Sequence, residues 1–129
     1  EIVKTSGNDS IPERILISLE DLPETAVGLH DPNFVLILSQ EAADYLCSNQ
    51  NFCLYGTSWK SSDFKPGSKE RPIRNTLFKN AVIMESLDLK DVPAGQYFMN
   101  AFPLPLEGAS ESPVCPVLFT KEEILREIQ

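Results

Sequence analysis

The chain has 129 residues, with 42% hydrophobic and 23% charged residues and a formal net charge of −8. That size and balance suit one domain with a real core and exclude a disordered chain. The acidic charge disfavours a nucleic-acid partner, because phosphate binding needs clustered Lys and Arg, and no apolar run approaches the roughly 18 residues of a membrane span.

Glu1 to Ser10 is polar and reads as an extended lead-in. The chain starts at Glu1 without Met, so a processed product or a piece of a longer protein is expected. Arg14 to Leu19 is aliphatic and of strand length. Glu20 to Asn33 carries Pro23, Gly28 and Pro32 and reads as a loop. Phe34 to Leu38 is apolar without a period, so a strand and a lead into a helix are both open. Ser39 makes a good N-cap, and Glu41 places a negative charge at the positive end of the helix dipole. Ala42, Ala43, Tyr45, Leu46 and Cys47 supply an apolar helical face, and Asn49-Gln50-Asn51 stops it.

Phe52 to Tyr55 reads as a short strand, followed at once by Gly56-Thr57-Ser58. Small and hydroxyl residues past a strand end are where α/β folds often place ligands, which makes Thr57 and Ser58 candidate ligand-binding residues. A turn capped by hydroxyls is the alternative. Trp59 to Pro72 is read as a polar loop, and the interrupted basic cluster Lys65 to Arg74 as a solvated one. Ile73 to Ala81, with Leu77 and Phe78 as its apolar pair, predicts a short helix that Asn75-Thr76 could cap.

Ala81 to Met84 and Tyr97 to Leu106 predict two buried strands around the turn Asp91 to Gly95. Pro103 and Pro105 remove ladder donors and push the second run toward an edge. Val114 to Phe119 predicts a last strand. Thr120 and Glu123 have the spacing of a capping box before Ile124, Leu125 and Ile128. Strands alternating with short helices give an α/β or α+β class in a single domain, 1–129.

Little chemistry is available to such a chain. Its three cysteines, Cys47, Cys53 and Cys115, form no C-x-x-C and read as reduced core residues in a cytoplasmic protein. The single histidine, His30, cannot supply a two-His metal site. No G-x-S-x-G, Walker A loop or G-x-G-x-x-G is present. Asp88 and Asp91 read as solvated acids. Glu85, at the end of an apolar run, is either the start of a loop or a site residue.

At this point a family comes into view. Ile83 to Leu89, then Val92 to Tyr97, then Ala101 to Ala109, then Ser112-Pro113-Val114 resemble the C-terminal signature of the metal-dependent cyclase family, which includes bacterial kynurenine formamidases and isatin hydrolases. Arg14 to Ser18, Leu38 to Leu46 and Gly56-Thr57-Ser58 are similar to upstream pieces of that family. The resemblance covers roughly Ile11 to Phe119 and implies a swivelling β/β/α fold, truncated at its N-terminal side. In the full family it implies a zinc or manganese amidohydrolase.

The same resemblance marks two departures. The family's motif H-x-G-T-H-x-D-x-P-x-H does not occur in this chain. A family histidine that precedes the glutamate matching Glu85 falls at Ile73, beside Arg74. Of the ligand set, Glu85 alone is matched, as a vestigial metal ligand, a structural loop acid or a ligand completed by another chain. One carboxylate cannot hold a catalytic zinc or acidify its water. The expectation is therefore a non-catalytic, cyclase-like domain acting through binding or self-association, as a homo-oligomer or with a partner chain, and with no cofactor of its own. Two alternatives stand beside it. One is part of a kynurenine formamidase-type metal-dependent amidohydrolase whose main metal motif is on a missing segment or a partner chain, with zinc or manganese if a partner chain completes the site. The other is a small-molecule binding domain.

Overall fold

A computed structural model describes residues 10–19, 35–64 and 69–127. The chain divides into two compact units, Glu1–Val92 and Pro93–Gln129. His30, the Glu20 to Asn33 loop and Phe34 lie outside the described residues.

The first unit is a parallel sheet with two helices. Strands β1 (Arg14–Ile17), β2 (Leu54–Thr57) and β3 (Val82–Met84) pair in the order β1-β2-β3, with helix α1 (Gln40–Cys47) between the first two in sequence and α2 (Pro72–Leu77) between the last two. Both pairings are parallel, and Ile15, Tyr55 and Ile83 lie in register across the sheet. Parallel neighbours need a crossover, and the helices supply it. Right-handed crossovers in this strand order place both helices on one face, and α1 and α2 pack against each other.

That face holds the core. Ala43 and Leu46 of α1, Ile73 and Leu77 of α2, Phe52, Tyr55, Leu38 and Ala81 form one apolar cluster, with Ile15, Ile17 and Ile83 packed against it. The period-2 alternation of the strands puts Leu16, Gly56 and Met84 on the opposite face. A Cβ on Gly56 would stand 2.3 Å from Leu16 Cδ2 and 2.8 Å from Leu87 Cδ1, so glycine is needed for those leucines to close over β2.

Helix α1 starts as the sequence predicts. The Ser39 hydroxyl accepts the Ala42 N–H at 3.1 Å and Glu41 sits in the first turn. Tyr45 is the exception on the apolar face and is exposed, because it falls on the solvent side of the turn. Asn49 stops the helix by donating to the Ile11 carbonyl and accepting the Asn51 N–H. Val35 to Ser39 is neither strand nor helix, and Leu38 is buried.

Three expectations shift. The second strand is Leu54–Thr57, not Phe52 to Tyr55, so Gly56 and Thr57 are inside the ladder and pair with Leu16 and Ile17. Helix α2 begins at Pro72, with proline at a position where the missing N–H costs nothing, and Asn75 and Thr76 lie within it instead of capping it. Phe78 is exposed, while the stretch read as a polar loop buries Trp59, Ser61, Ser62 and Asp63.

The second unit pairs β4 (Phe98–Asn100) antiparallel with β5 (Val117–Phe119), Met99 opposite Leu118. The expected strand Tyr97 to Leu106 stops at Asn100, and the expected strand from Val114 starts at Val117. Pro103, Pro105, Pro113 and Pro116 cannot donate to a ladder. Phe102 is 80% exposed, and Leu104 and Leu106 are exposed with it, so this run is not a buried strand. Cys115 is exposed as well, where a core residue is expected. Helix α3 (Lys121–Glu127) carries the capping box in full: the Glu123 carboxylate accepts the Thr120 N–H at 2.7 Å, and the Thr120 hydroxyl accepts the Glu123 N–H at 3.2 Å.

Candidate functional site

Open parallel sheets place polar groups at the carboxyl ends of their strands, where the ladder stops and loops begin. Here those ends bring together Ser18 after β1, Thr57 and Ser58 at the end of β2, the Ser61-Ser62-Asp63 turn, and Glu85 after β3. Thr57, Ser58, Ser62 and Asp63 are all buried. Buried polar groups need partners, and each of these has one.

The hydroxyl residues are satisfied internally. The Ser58 hydroxyl donates to Ser18 Oγ at 2.8 Å, and Thr57 Oγ1 accepts the Trp59 N–H at 3.1 Å. Thr57 shares its strand face with Tyr55. Burial pushes the Tyr55 phenol up to about 12; the Thr57 side chain opposes that rise, and the Glu85 charge adds to it. The candidate ligand residues Thr57 and Ser58 are therefore brought together with Glu85 at one end of the sheet, with their hydroxyls turned to protein partners.

Glu85 is positioned by the strand it ends. It shares the face of Ile83 and Tyr55, two residues on in a period-2 strand. Beyond it, Ser86 takes a left-handed conformation with φ 61°. That turn aims two successive amides back at β2: Ser86 N–H donates to the Trp59 carbonyl at 2.9 Å and Leu87 N–H to the Thr57 carbonyl at 3.1 Å.

The Glu85 carboxylate is engaged on both oxygens. Oε1 accepts the Ser62 N–H at 2.7 Å and the Ser62 hydroxyl at 2.8 Å. Oε2 faces the Arg74 guanidinium at 3.9 Å, with both side chains largely shielded. Arg74 also lies over the Phe78 ring, 5.2 Å from its centre. Asp63 completes the cluster from the other side. Its carboxylate accepts the Ile73 N–H at 3.0 Å and the Arg74 N–H at 3.2 Å, capping α2 from a distance.

Ser62, Asp63 and Arg74 are the residues that sequence reasoning leaves inside a solvated loop. A signal is present: Pro72 at a helix start calls for an acceptor upstream, and Asp63 supplies the side chain that does this. Ile73 does not face a cation; it is in the apolar core. Cys47 is half-buried and donates weakly to the Thr76 carbonyl at 3.6 Å. Burial first, then the Asp44 charge, push its thiol up, against Lys79, which makes it a poor nucleophile. Asp88 is exposed and accepts the Lys90 N–H, and Asp91 is exposed beside it.

Among the described residues, no three His, Cys, Asp or Glu side chains are grouped to hold a metal ion. Ile73 lies in the core and Glu85 carries an arginine on its second oxygen, a cation where a metal would need the charge. The described residues do not fit a catalytic zinc or manganese. Among them no helix is long and apolar enough to cross a membrane.

No protein-family model and no curated protein matches the chain. Solved structures similar to it include a predicted metal-dependent hydrolase from Bacillus stearothermophilus, 34% identical, with a TM-score of 0.52 over 62% of this chain and 38% of that one. A potential metal-dependent hydrolase with cyclase activity is 35% identical, with a TM-score of 0.50 over 62% of this chain and 39% of that one. The chain thus spans about two fifths of the length of these structures. It is an α/β protein, and over 62% of its length its fold is similar to part of these two structures.

Proposed function

We propose that the chain is a non-catalytic, cyclase-like domain that acts through binding or self-association. The observation that carries this reading is the pair of partners on Glu85. Ser62 takes one carboxylate oxygen through two hydrogen bonds, and Arg74 neutralises the other at 3.9 Å. A divalent cation bound there would have to approach a guanidinium, and like charges at such distances repel. Glu85 is in this reading a structural acid at a position where related hydrolases use one for metal. Self-association draws support from the second unit, where Phe98, Phe102, Leu104, Leu106 and Val117 are exposed apolar side chains along a short stretch.

A second reading is part of a metal-dependent amidohydrolase of the kynurenine formamidase type, its main zinc or manganese motif carried by a missing segment or a partner chain. Its support is the 34% identity to a predicted metal-dependent hydrolase. It requires Arg74 to leave Glu85.

Metal analysis of the purified chain after incubation with zinc or manganese and dialysis separates the two. The expected result is metal well below one equivalent, the same in wild type and Glu85→Gln. Stoichiometric metal that the Glu85→Gln change removes would sink the non-catalytic reading. Light scattering tests association: a dimer or larger species is expected, and a monomer at all concentrations ends that part of the proposal.

A further inference from the structure

The contacts around Glu85 close into a ring. From Glu85 the path runs by hydrogen bonds to Ser62. It passes along the backbone to Asp63, then by hydrogen bonds to the amides of Ile73 and Arg74 at the start of α2. The Arg74 side chain returns it to Glu85. Ser62 is 1% exposed and Asp63 4%, so neither can exchange its partner for water while the ring is closed. Breaking one link leaves buried polar atoms unsatisfied at the next, and the low local dielectric makes that costly.

We propose that Glu85, Ser62, Asp63 and Arg74 form a single latch between the end of β3 and the start of α2, which opens as one unit and whose opening exposes Thr57. The second part follows from continuity. Thr57, Ser58 and Trp59 precede the Ser61 to Asp63 turn on the same run of chain. That run is tied to the end of β3 by the Ser86 and Leu87 amides as well as by Ser62. Freeing Ser62 and Asp63 removes the anchor on its far side. The Thr57 hydroxyl, now turned inward, then becomes reachable, so the latch sets access to the helix side of this end of the sheet. The proposal deepens the reading of Glu85 as a protein-facing acid and does not depend on whether the chain self-associates.

Residue-resolved hydrogen exchange on the whole chain tests it. Each link has its own reporter: the Ser62 amide for Glu85, and the Ile73 and Arg74 amides for Asp63. The Trp59 amide, bonded to Thr57 Oγ1, reports access. Glu85→Gln keeps an oxygen for Ser62 and removes the negative charge that faces Arg74. Ser62→Ala removes only a hydroxyl. Neither touches the Asp63 bonds. Expected are equal protection for the three latch amides in wild type and a common fall in both variants, of about tenfold for the loss of one partly buried polar link. Trp59 is expected to fall with them. Loss of protection confined to Ser62, with Ile73 and Arg74 unchanged, overturns the single latch. Trp59 keeping its protection while the others fall overturns the access role. Ser39→Ala, at the cap of α1, serves as the control and should leave all four amides unchanged. If Glu85→Gln does not fold, Ser62→Ala carries the test. A metal result against the non-catalytic reading would leave this exchange pattern separately readable.

Discussion

The unit ending at Val92 and the unit starting at Pro93 each contain strands and a helix, and they hold them together by different means. All the buried apolar residues among those described lie between Leu38 and Leu87. In the first unit, the strands are brought into register by helices that cross over them and share a core. In the second, a three-residue ladder and a capped helix rest on local hydrogen bonds: the Thr120–Glu123 box, Tyr97 Oη on the Pro93 carbonyl, and the Leu104 N–H on Ser112 Oγ. Prolines account for the contrast, since a run such as Phe102-Pro103-Leu104-Pro105 cannot extend a ladder however apolar it is. Hydrophobic composition therefore predicts a core where the backbone can also be satisfied, and fails where it cannot.

The contrast is open to direct attack. Leu77→Ala should give the largest effect, about 2–5 kcal/mol, because a fully buried side chain in the shared core leaves a cavity. Phe102→Ala removes a larger side chain from an exposed position and should change stability by no more than about 0.5 kcal/mol. Denaturant midpoints of the two variants decide it, and equal losses would break the comparison. Glu85→Ala should cost about 1–3 kcal/mol by the same measurement, since it strands the Ser62 N–H and hydroxyl and removes the ion pair with Arg74. Gly56→Ala should cost about 1–3 kcal/mol through the clash with Leu16 and Leu87, softened as far as those side-chain ends can move.

The units should also part company with pH. Tyr55 has a folded pKa of about 12, raised from 10.0, so the folded state holds its proton more tightly than the unfolded chain. The stability this confers is complete below pH 10.0 and is lost as pH rises toward about 12. A near-ultraviolet phenol titration should show one tyrosine ionising together with unfolding of the first unit. Glu123 shifts the other way: the Thr120 backbone N–H, then its hydroxyl, hold the carboxyl below the usual glutamate range. Its contribution is present above the unfolded value and fades as pH falls through the folded one, so α3 should fray in acid. Helix α1, capped by the neutral Ser39 hydroxyl, should keep its cap over the same range. The smallest effect of the set is expected here, read from chemical shifts of Lys121–Glu127, and an α3 indifferent to acid would remove the capping box as its main support.

Much of the first unit is legible in the sequence because its signals are local. Ser39 caps α1, Asn49 stops it, Arg14 to Ile17 and Val82 to Met84 are strands, and in the second unit Thr120 with Glu123 caps α3. What is not legible depends on distance in the chain. Asp63 caps a helix that starts nine residues later, at Pro72. Ser62 finds its partner 23 residues away in Glu85. Nothing in the composition of Trp59 to Pro72 says that a polar run will be buried, since burial there is made possible by partners on other elements. Glu85 is found from its place at the end of an apolar run, and its role only from its partners. The two-residue displacement of β2 has the same origin: Thr57 looks like a loop residue by type, yet Ile17 and Leu87 supply its ladder.

Ser86 carries a consequence for the sheet as a whole. A strand delivers successive side chains to opposite faces, so Glu85 on the helix side should be followed by a residue on the other side and then by one back among the helices. The left-handed turn at Ser86 interrupts that alternation. Leu87 is thereby carried over to the face where Gly56 leaves room, and its methyl reaches within 2.8 Å of where a Gly56 Cβ would stand. One pivot thus serves two sides, setting an acid against α2 on one and a leucine plug into the glycine notch on the other. A β-branched residue at 86, which resists this conformation, would disturb both faces at once, whereas glycine would adopt it freely and keep both.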